Sequence, residues 1–443
     1  MSAGALRREQ AQSLLADLAA SGQNVSETLL AQVRAMSVGS SRKILTNYTP
    51  QDPRRVCLRG PHGMGMNCIA VGDGRVYLGS ADGTVSGWEF TPLALEKETD
   101  KPRPLTLIFG AKGRRKLRIG NKRPTFLQEA AGIKHVRHPF ADISGGSRLR
   151  GPDQDGHYGP VMALAATEDG AYVISAGADC LVNVREGHGG TSLFSFIMDS
   201  EVGALAVQGH QLFVATGISL KVFSLDDRCE MYTLHGPESS ITGSALLLPD
   251  TIVTCGLDRS VRIFDTVRQT QTGYASTTTL DAVCWPVDDL FVSGGVPGLI
   301  VHSREKKHPI LTIHPYDCLK PVVDIPFEPS RDACRKAVTA LCAIPHTGVF
   351  VSGAHNLISL WVLKDTVPVK QADYFVRGFV NGLILTVLAD RLYILAATSK
   401  YPLRGRWDND PHGYNGLIIV DLACPVPTEQ RASRFTRFSG SGL

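Results

Sequence analysis

No stretch of eighteen consecutive apolar residues occurs in the 443-residue chain, so no membrane-spanning helix and no membrane partner are expected. The N-terminal "MSAGALRREQAQSLLADLAASG" lacks an uninterrupted apolar core and carries charges instead, so it does not read as a secretory signal. The ten cysteines stand singly, with no Cys-x-x-Cys pair. That spacing argues against a zinc site and fits reduced, partly buried thiols in an intracellular compartment. No P-loop, His-Glu-x-x-His or Gly-x-Ser-x-Gly is present. "GSADGTVSGW" and "SGGVPG" have no strand–helix–strand setting, so their glycines belong to turns rather than to a dinucleotide site. No enzyme, cofactor or metal is therefore expected. The net charge of +4 is too small to imply a polyanionic partner by itself.

An internal repeat is present. "VMALAATEDGAYVISAGADCLVNVRE" from Val161 matches "ITGSALLLPDTIVTCGLDRSVRIFDT" from Ile241 in pattern. The segments from Leu280 and Val338 match it too, as do less regular copies from Met66 and Val202 and a divergent one from Val380. Each is a short apolar run, a polar turn, a second run ending in small residues, a tight turn and a third alternating run. The period is about 40 residues where nothing intervenes, as in four-stranded propeller blades. Short, β-branched, period-two runs are strand chemistry. Such sheets bury both faces only by stacking around an axis. Seven copies predict an all-β, seven-bladed WD-repeat β-propeller over residues 49–422, with a short helical N-terminal arm and a long basic insertion between blades. "RRVCLRG" is expected to supply the outer strand of the last blade.

Asp82, Asp179 and Asp258 recur in the turn before the third strand, and His62, His157 and His235 recur shortly before a first strand. Recurrence in several blades points to structural His–Asp staples rather than a catalytic pair, which would occur once. Blades three, five (Pro297) and six (His355) lack the Asp and are expected to be held by packing alone.

Three segments fall outside the repeat. Residues 1–48 read as two short amphipathic helices, carrying Leu14, Leu15 and Leu18, then Leu29, Leu30, Val33 and Met36 behind an Asn24/Glu27 capping pair. They suit docking on the propeller or on a partner groove. The insertion, residues 93–159, carries thirteen basic and two acidic residues between Lys101 and Arg150. Its densest part, "AKGRRKLRIGNKRP", holds Lys112, Arg114, Arg115, Lys116, Arg118, Lys122 and Arg123 with no acid. These seven are candidate phosphate contacts, and a nuclear address has the same composition. Near the end, "SKYPLRGRWDNDPHGYNG" places Arg404 and Arg406 beside Trp407, and the tail, residues 423–443, alternates Arg with Phe in "RASRFTRFSGSGL". Guanidinium and aromatic planes both stack on unpaired bases.

The helical arm running into "RRVCLRGPHGMGMNCIAV", the basic "FGAKGRRKLRIG" after the first blade, "KAVTALCAIPHTGVFVSGAHNLISLW", and the ending "VRGFVNGLILTVLADRLYILAATSKYPLRGRW…NGLIIVDL" occur in that order. In this combination the chain resembles the WD-repeat proteins of the U3 small nucleolar ribonucleoprotein. It departs from them in lacking an acidic low-complexity N-terminal region, in its longer insertion and in a degenerate third blade. The resemblance implies a non-catalytic, nucleolar protein that binds the box B/C region of U3 snoRNA. A kink-turn-binding snoRNP protein and other small-subunit processome proteins would be its partners, in pre-rRNA processing and early 40S biogenesis. It carries RNA contact onto Arg404, Arg406 and Trp407 by motif, and onto the basic cluster by position. A WD-repeat scaffold for peptides, of the ubiquitin-ligase adaptor type, and another ribosome-assembly propeller remain open.

Overall fold

The computed structural model describes residues 54–59, 64–90, 105–111, 148–150, 156–248, 251–296, 298–316, 337–364, 366–388, 391–404 and 408–425. They form six antiparallel sheets. The first contains Met66–Gly72, Arg75–Ser80, Val85–Phe90 and Leu105–Ala111, and the second begins with Val161–Ala166 and carries Arg148–Arg150 as an extra edge strand. The third, fourth and fifth each have four strands and begin at Val202, Ile241 and Leu280. The last has six: Val338–Ile344, Val349–Lys364, Val367–Leu388, Arg391–Ser399, Gly416–Pro425 and Arg54–Arg59.

Burial follows position within each sheet. The middle strands Leu290–Gly295 and Gly298–Ser303 are buried at every residue, because a neighbouring sheet covers each face. The outer strand Thr270–Ala275 buries only Tyr274. The first and last sheets meet through Met66, Ile69, Leu78 and Phe90 against Tyr393, Leu395 and Ile419. There the Phe90 and Tyr393 rings lie edge to face at 5.0 Å. Arg54–Arg59 pairs with Gly416–Asp421, so the start of the chain completes the sheet at its end, as expected. This pairs the outer edge of Gly416–Pro425, with Arg54–Arg59 as the outermost strand of that sheet.

The expectation of seven blades with a helical arm is corrected. There are six sheets, and no helix occurs among the described residues; residues 1–48 lie outside them. The copies starting at Val338 and Val380 share the last sheet, because Phe379 pairs with His355 on one side and with Ser399 on the other. Hydrogen bonding therefore runs from one copy into the next without a break. Within that sheet Val349–Lys364 reverses at His355–Asn356, where Asn356 has φ 60°. The Leu363 N–H then reaches the Gly348 carbonyl at 2.7 Å, a pair that straight strand would separate by roughly 50 Å.

The bounds of the insertion also change. Leu105–Ala111 is the fourth strand of the first sheet, and Arg148–Arg150 pairs with Ser195–Ile197 at the edge of the second. Both lie inside the 93–159 span that the sequence assigns to an inter-blade insertion.

Candidate functional site

One repeat position is a complete staple. His157 is fully buried, with Nδ1 3.0 Å from Asp179 Oδ1 and Nε2 2.9 Å from Ser175 Oγ. The Tyr158 and Leu181 N–H groups donate to the same carboxylate at 2.8 and 3.2 Å. Burial pushes the Asp179 carboxyl up, but His157 and the two amides outweigh it and hold the group below the usual range. Asp82 accepts the Thr84 N–H at 2.9 Å. Asp258 accepts the Glu238 and Ser260 N–H groups, each at 3.1 Å, with Arg262 at 3.8 Å. His235 is exposed at the end of its strand, Cys229–His235.

The copies expected to rely on packing are also hydrogen-bonded. The Thr216 hydroxyl donates to the Ser200 carbonyl at 3.0 Å in the third sheet. In the fifth, Ser293 Oγ lies 2.8 Å from His302 Nε2, and the imidazole stacks on Phe291 at 4.9 Å. In the sixth, the Trp361 indole N–H donates to Ser352 Oγ at 2.9 Å, while His355 Nε2 lies 3.0 Å from Asp410 Oδ2. These copies are therefore held by side-chain hydrogen bonds as well as by packing.

The feature that organises the site is a ring of bulges. The first strands pack in succession around the axis, one from each of the first five sheets and two from the last. In all of them the pairing register shifts after the first residue. Such a bulge leaves the second residue unpaired and re-aims its side chain. The residues so placed are Asn67, Met162, Gly203, Thr242, Asp281, Thr339 and Asn381. They sit at the end of the propeller where the first strands begin, called here the entry end. Four of them lace neighbouring strands. Asn67 donates to the Val161 carbonyl at 3.0 Å, Thr242 to that of Leu280 at 2.6 Å, Thr339 to that of Val380 at 2.6 Å, and Asn381 to that of Met66 at 3.3 Å.

Arg404 closes this ring. Asn381 clamps the preceding loop by donating to the Tyr401 carbonyl at 3.1 Å and accepting the Leu403 N–H at 2.9 Å. The half-buried Arg404 side chain then crosses the axis to the Gly203 and Thr242 carbonyls, at 3.1 and 3.0 Å. Burial lowers its guanidinium from the ordinary value, and the charges of Asp281, Cys255 and Glu201 pull it back. Burial raises the Asp281 carboxyl, with Arg404 opposing. Of the residues expected to contact RNA, Arg404 thus spends its donors on main-chain carbonyls. Gly378 and Phe379 support this arrangement. Gly378 has φ 104°, where a Cβ would lie 2.6 Å from the Ser399 carbonyl, and Phe379 is 2% exposed.

Lys112, Arg114, Arg115, Lys116, Arg118, Lys122 and Arg123 lie outside the described residues, as do Arg406 and Trp407. The ends of their segment are placed. Ala111 pairs with Val85, which follows the turn whose Ala81 N–H bonds the Gly65 carbonyl. Arg148 pairs with Ile197 beside Leu181, just past the turn fixed by the Ala178 N–H on the Pro160 carbonyl. Ala111 and Arg148, the described residues on either side of the basic stretch, therefore both lie at the entry end. Among the described residues no cluster of His, Cys, Asp or Glu suits a metal ion.

The fold is that of a WD40-type β-propeller. A family model described as "WD domain, G-beta repeat" matches residues 152–185, the copy with the complete His157–Asp179 staple. The chain is similar to the U3 snoRNP-associated protein-like EMB2271 of Arabidopsis thaliana, at 23% identity over 270 residues. That match covers 59% of this chain and 56% of the relative, so the chain spans little more than half of that protein. The solved structure of U3-55K superposes with a TM-score of 0.64 at 19% identity, covering 84% of this chain and all of that one. The RRP9 WD40 repeats superpose with a TM-score of 0.65 at 19% identity, covering 84% and 99%.

Proposed function

We propose that the chain is a non-catalytic, U3 snoRNA-binding component of the U3 snoRNP and small-subunit processome. In this reading it serves pre-rRNA processing and early 40S biogenesis in the nucleolus. The observation that carries it is the position of Ala111 and Arg148, which flank the basic stretch in sequence, at the entry end of a chain similar to a U3 snoRNP-associated protein. Seven cations within fourteen residues repel one another until a polyanion neutralises them, and an RNA backbone supplies phosphates at comparable spacing. Arginine forks suit bidentate phosphate contacts. The six sheets act as a rigid platform from which the basic segment reaches the box B/C region. A kink-turn-binding protein presents that RNA in bent form, and other processome proteins surround it. Arg406 and Trp407 extend the contact by charge and stacking.

The test is sequencing of the RNA crosslinked to the tagged protein in cells. Enrichment of U3 snoRNA with crosslinks in box B/C is expected. Recovery of an RNA population without U3, or of no RNA, overturns the reading and leaves a scaffold for protein partners.

A further inference from the structure

Nine large apolar side chains are exposed among the described residues, and Tyr401 is the one aromatic among them, at 47%. It stands at the entry end, on the loop that runs from the strand Arg391–Ser399 to Arg404. Its backbone is fixed on both sides. The Tyr401 N–H donates to Ser399 Oγ at 3.2 Å, and its carbonyl accepts the Asn381 side chain. The Lys400 N–H donates to Asn415 Oδ1 and the Lys400 carbonyl accepts the Asp410 N–H, each at 2.9 Å. Pro402 follows and fixes its own φ. The phenol itself has neither a hydrogen bond nor a ring partner among the described residues. An aromatic face thus stands in water on a backbone that is already in place, so little order is lost when a flat group covers it.

The charges beside the ring select its occupant. Arg377 is exposed, and its guanidinium has no hydrogen bond or ion pair among the described residues. It lies against the same loop: its carbonyl accepts the Tyr414 N–H at 3.0 Å, and the next residue, Gly378, abuts the Ser399 carbonyl. Lys400 Nζ donates to the Pro411 carbonyl at 3.3 Å, which leaves two of its N–H groups for another acceptor. Of the two acids within residues 399–414, Asp410 is buried and bonded to His355 and to the His412 N–H, and Asp408 is half-buried. Two cations thus flank the ring against one partly covered carboxylate. Aromatic faces stack on any base, and cations beside them take the phosphates on either side of it. The platform also adjoins the root of the basic stretch. Gly65 leaves no room for a Cβ against the Ser399 hydroxyl, and its carbonyl accepts the Ala81 N–H of the turn leading to Val85, the partner of Ala111.

We infer, resting on the RNA-binding function proposed above, that Tyr401 is a stacking platform for one unpaired nucleotide of the RNA, with Arg377 and Lys400 on its flanking phosphates. Arg404, the neighbouring residue that the sequence pattern favours for RNA contact, instead holds the loop in place through the Gly203 and Thr242 carbonyls.

The test is titration of labelled U3 box B/C RNA onto the full-length protein at several salt concentrations. Tyr401→Ala is expected to weaken binding about tenfold with an unchanged slope of log affinity against log salt, because stacking releases no counterions. Tyr401→Trp restores the affinity, and Arg377→Gln lowers the slope by about one. Thermal unfolding of all three matches wild type. Wild-type affinity in Tyr401→Ala, on an RNA that the wild type binds, overturns the platform, leaves the RNA-binding function standing and assigns the exposed ring to a protein partner. A loss that Tyr401→Trp does not restore, together with a lowered melting temperature, also overturns it and gives the ring a structural role. Failure of the wild type to bind this RNA overturns the platform and the RNA-binding function together.

Discussion

The Arg404 guanidinium and the Thr242 carbonyl, 162 residues apart in the chain, meet at 3.0 Å across the propeller axis. Arg404 also holds the Gly203 carbonyl, so one side chain from the last sheet ties the third and fourth together. Replacing it by leucine leaves two carbonyls with one donor fewer each. An unsatisfied buried polar group costs about 1–3 kcal/mol, and a loss of that order is expected in urea unfolding. The loss should grow with pH. Asp281 already has a raised carboxyl pKa, and without Arg404 it rises further. A group raised in the folded state contributes stability that is lost as pH rises through its folded value. The variant should therefore be closer to wild type at pH 4 than at pH 8. A pH-independent difference would show that the two charges do not interact.

Phe379 is the residue through which the last sheet stays continuous. It pairs with His355 and with Ser399, its ring lies 4.5 Å from the His355 ring, and it is almost fully buried. Phe379→Ala should cost about 3–5 kcal/mol through lost transfer energy and a cavity. Stability within about 1 kcal/mol of wild type in urea titration would mean that the site collapses around the smaller side chain.

His302 gives a pH dependence of known sign. Burial pushes its imidazole down to about 4 from an ordinary 6.5, and its Nδ1 is buried without a hydrogen-bond partner among the described residues. In the unfolded chain the ring takes up a proton below about pH 6.5. The folded state resists this until about pH 4, so stability contributed by neutral His302 is present above 6.5 and lost as pH falls between the two values. The loss is on the order of 3 kcal/mol. His302→Phe removes the titrating group, and the slope of stability against pH between 6.5 and 4 should flatten by one proton. An unchanged slope would place the titration on another group.

The repeat was legible because each copy alternates apolar and polar residues between the same turns, and that pattern survives even in the copy from Val380. The number of sheets was not legible. It depends on Phe379 pairing on both sides, and nothing in "VRGFVNGL" distinguishes a strand that ends one blade from one that continues into the next. "LTLIFGA" has the character of a strand, yet it stands among charged residues and reads as part of the insertion; pairing with Val85–Phe90 makes it one. The polar second residues Asn67, Thr242, Asp281, Thr339 and Asn381 are visible in the sequence as interruptions of apolar runs. Their common meaning appears only when the seven bulges align around one axis. The role of Arg404 was hidden for a different reason. A motif names the residue, but its partners come from sheets 201 and 162 residues earlier in the chain.

The basic stretch from Lys112 to Arg123 makes the sharpest prediction about function. If four of its seven cations contact phosphates, each contact releases condensed counterions on binding. Neutralising those four, as Lys112→Gln, Arg114→Gln, Arg115→Gln and Lys116→Gln, should flatten the slope of log affinity against log salt by about 3 to 4 units. The first of these residues follows directly on the strand Leu105–Ala111, so the substituted positions lie beyond the paired residues of the first sheet and thermal stability should be unchanged. A stretch that serves only as a nuclear address gives a different result. The neutralised protein would then mislocalise in cells but bind purified U3 box B/C RNA with the wild-type slope. Affinity measured between 50 and 200 mM salt separates the two, since only a protein that meets the backbone with these side chains changes its slope when they lose their charge.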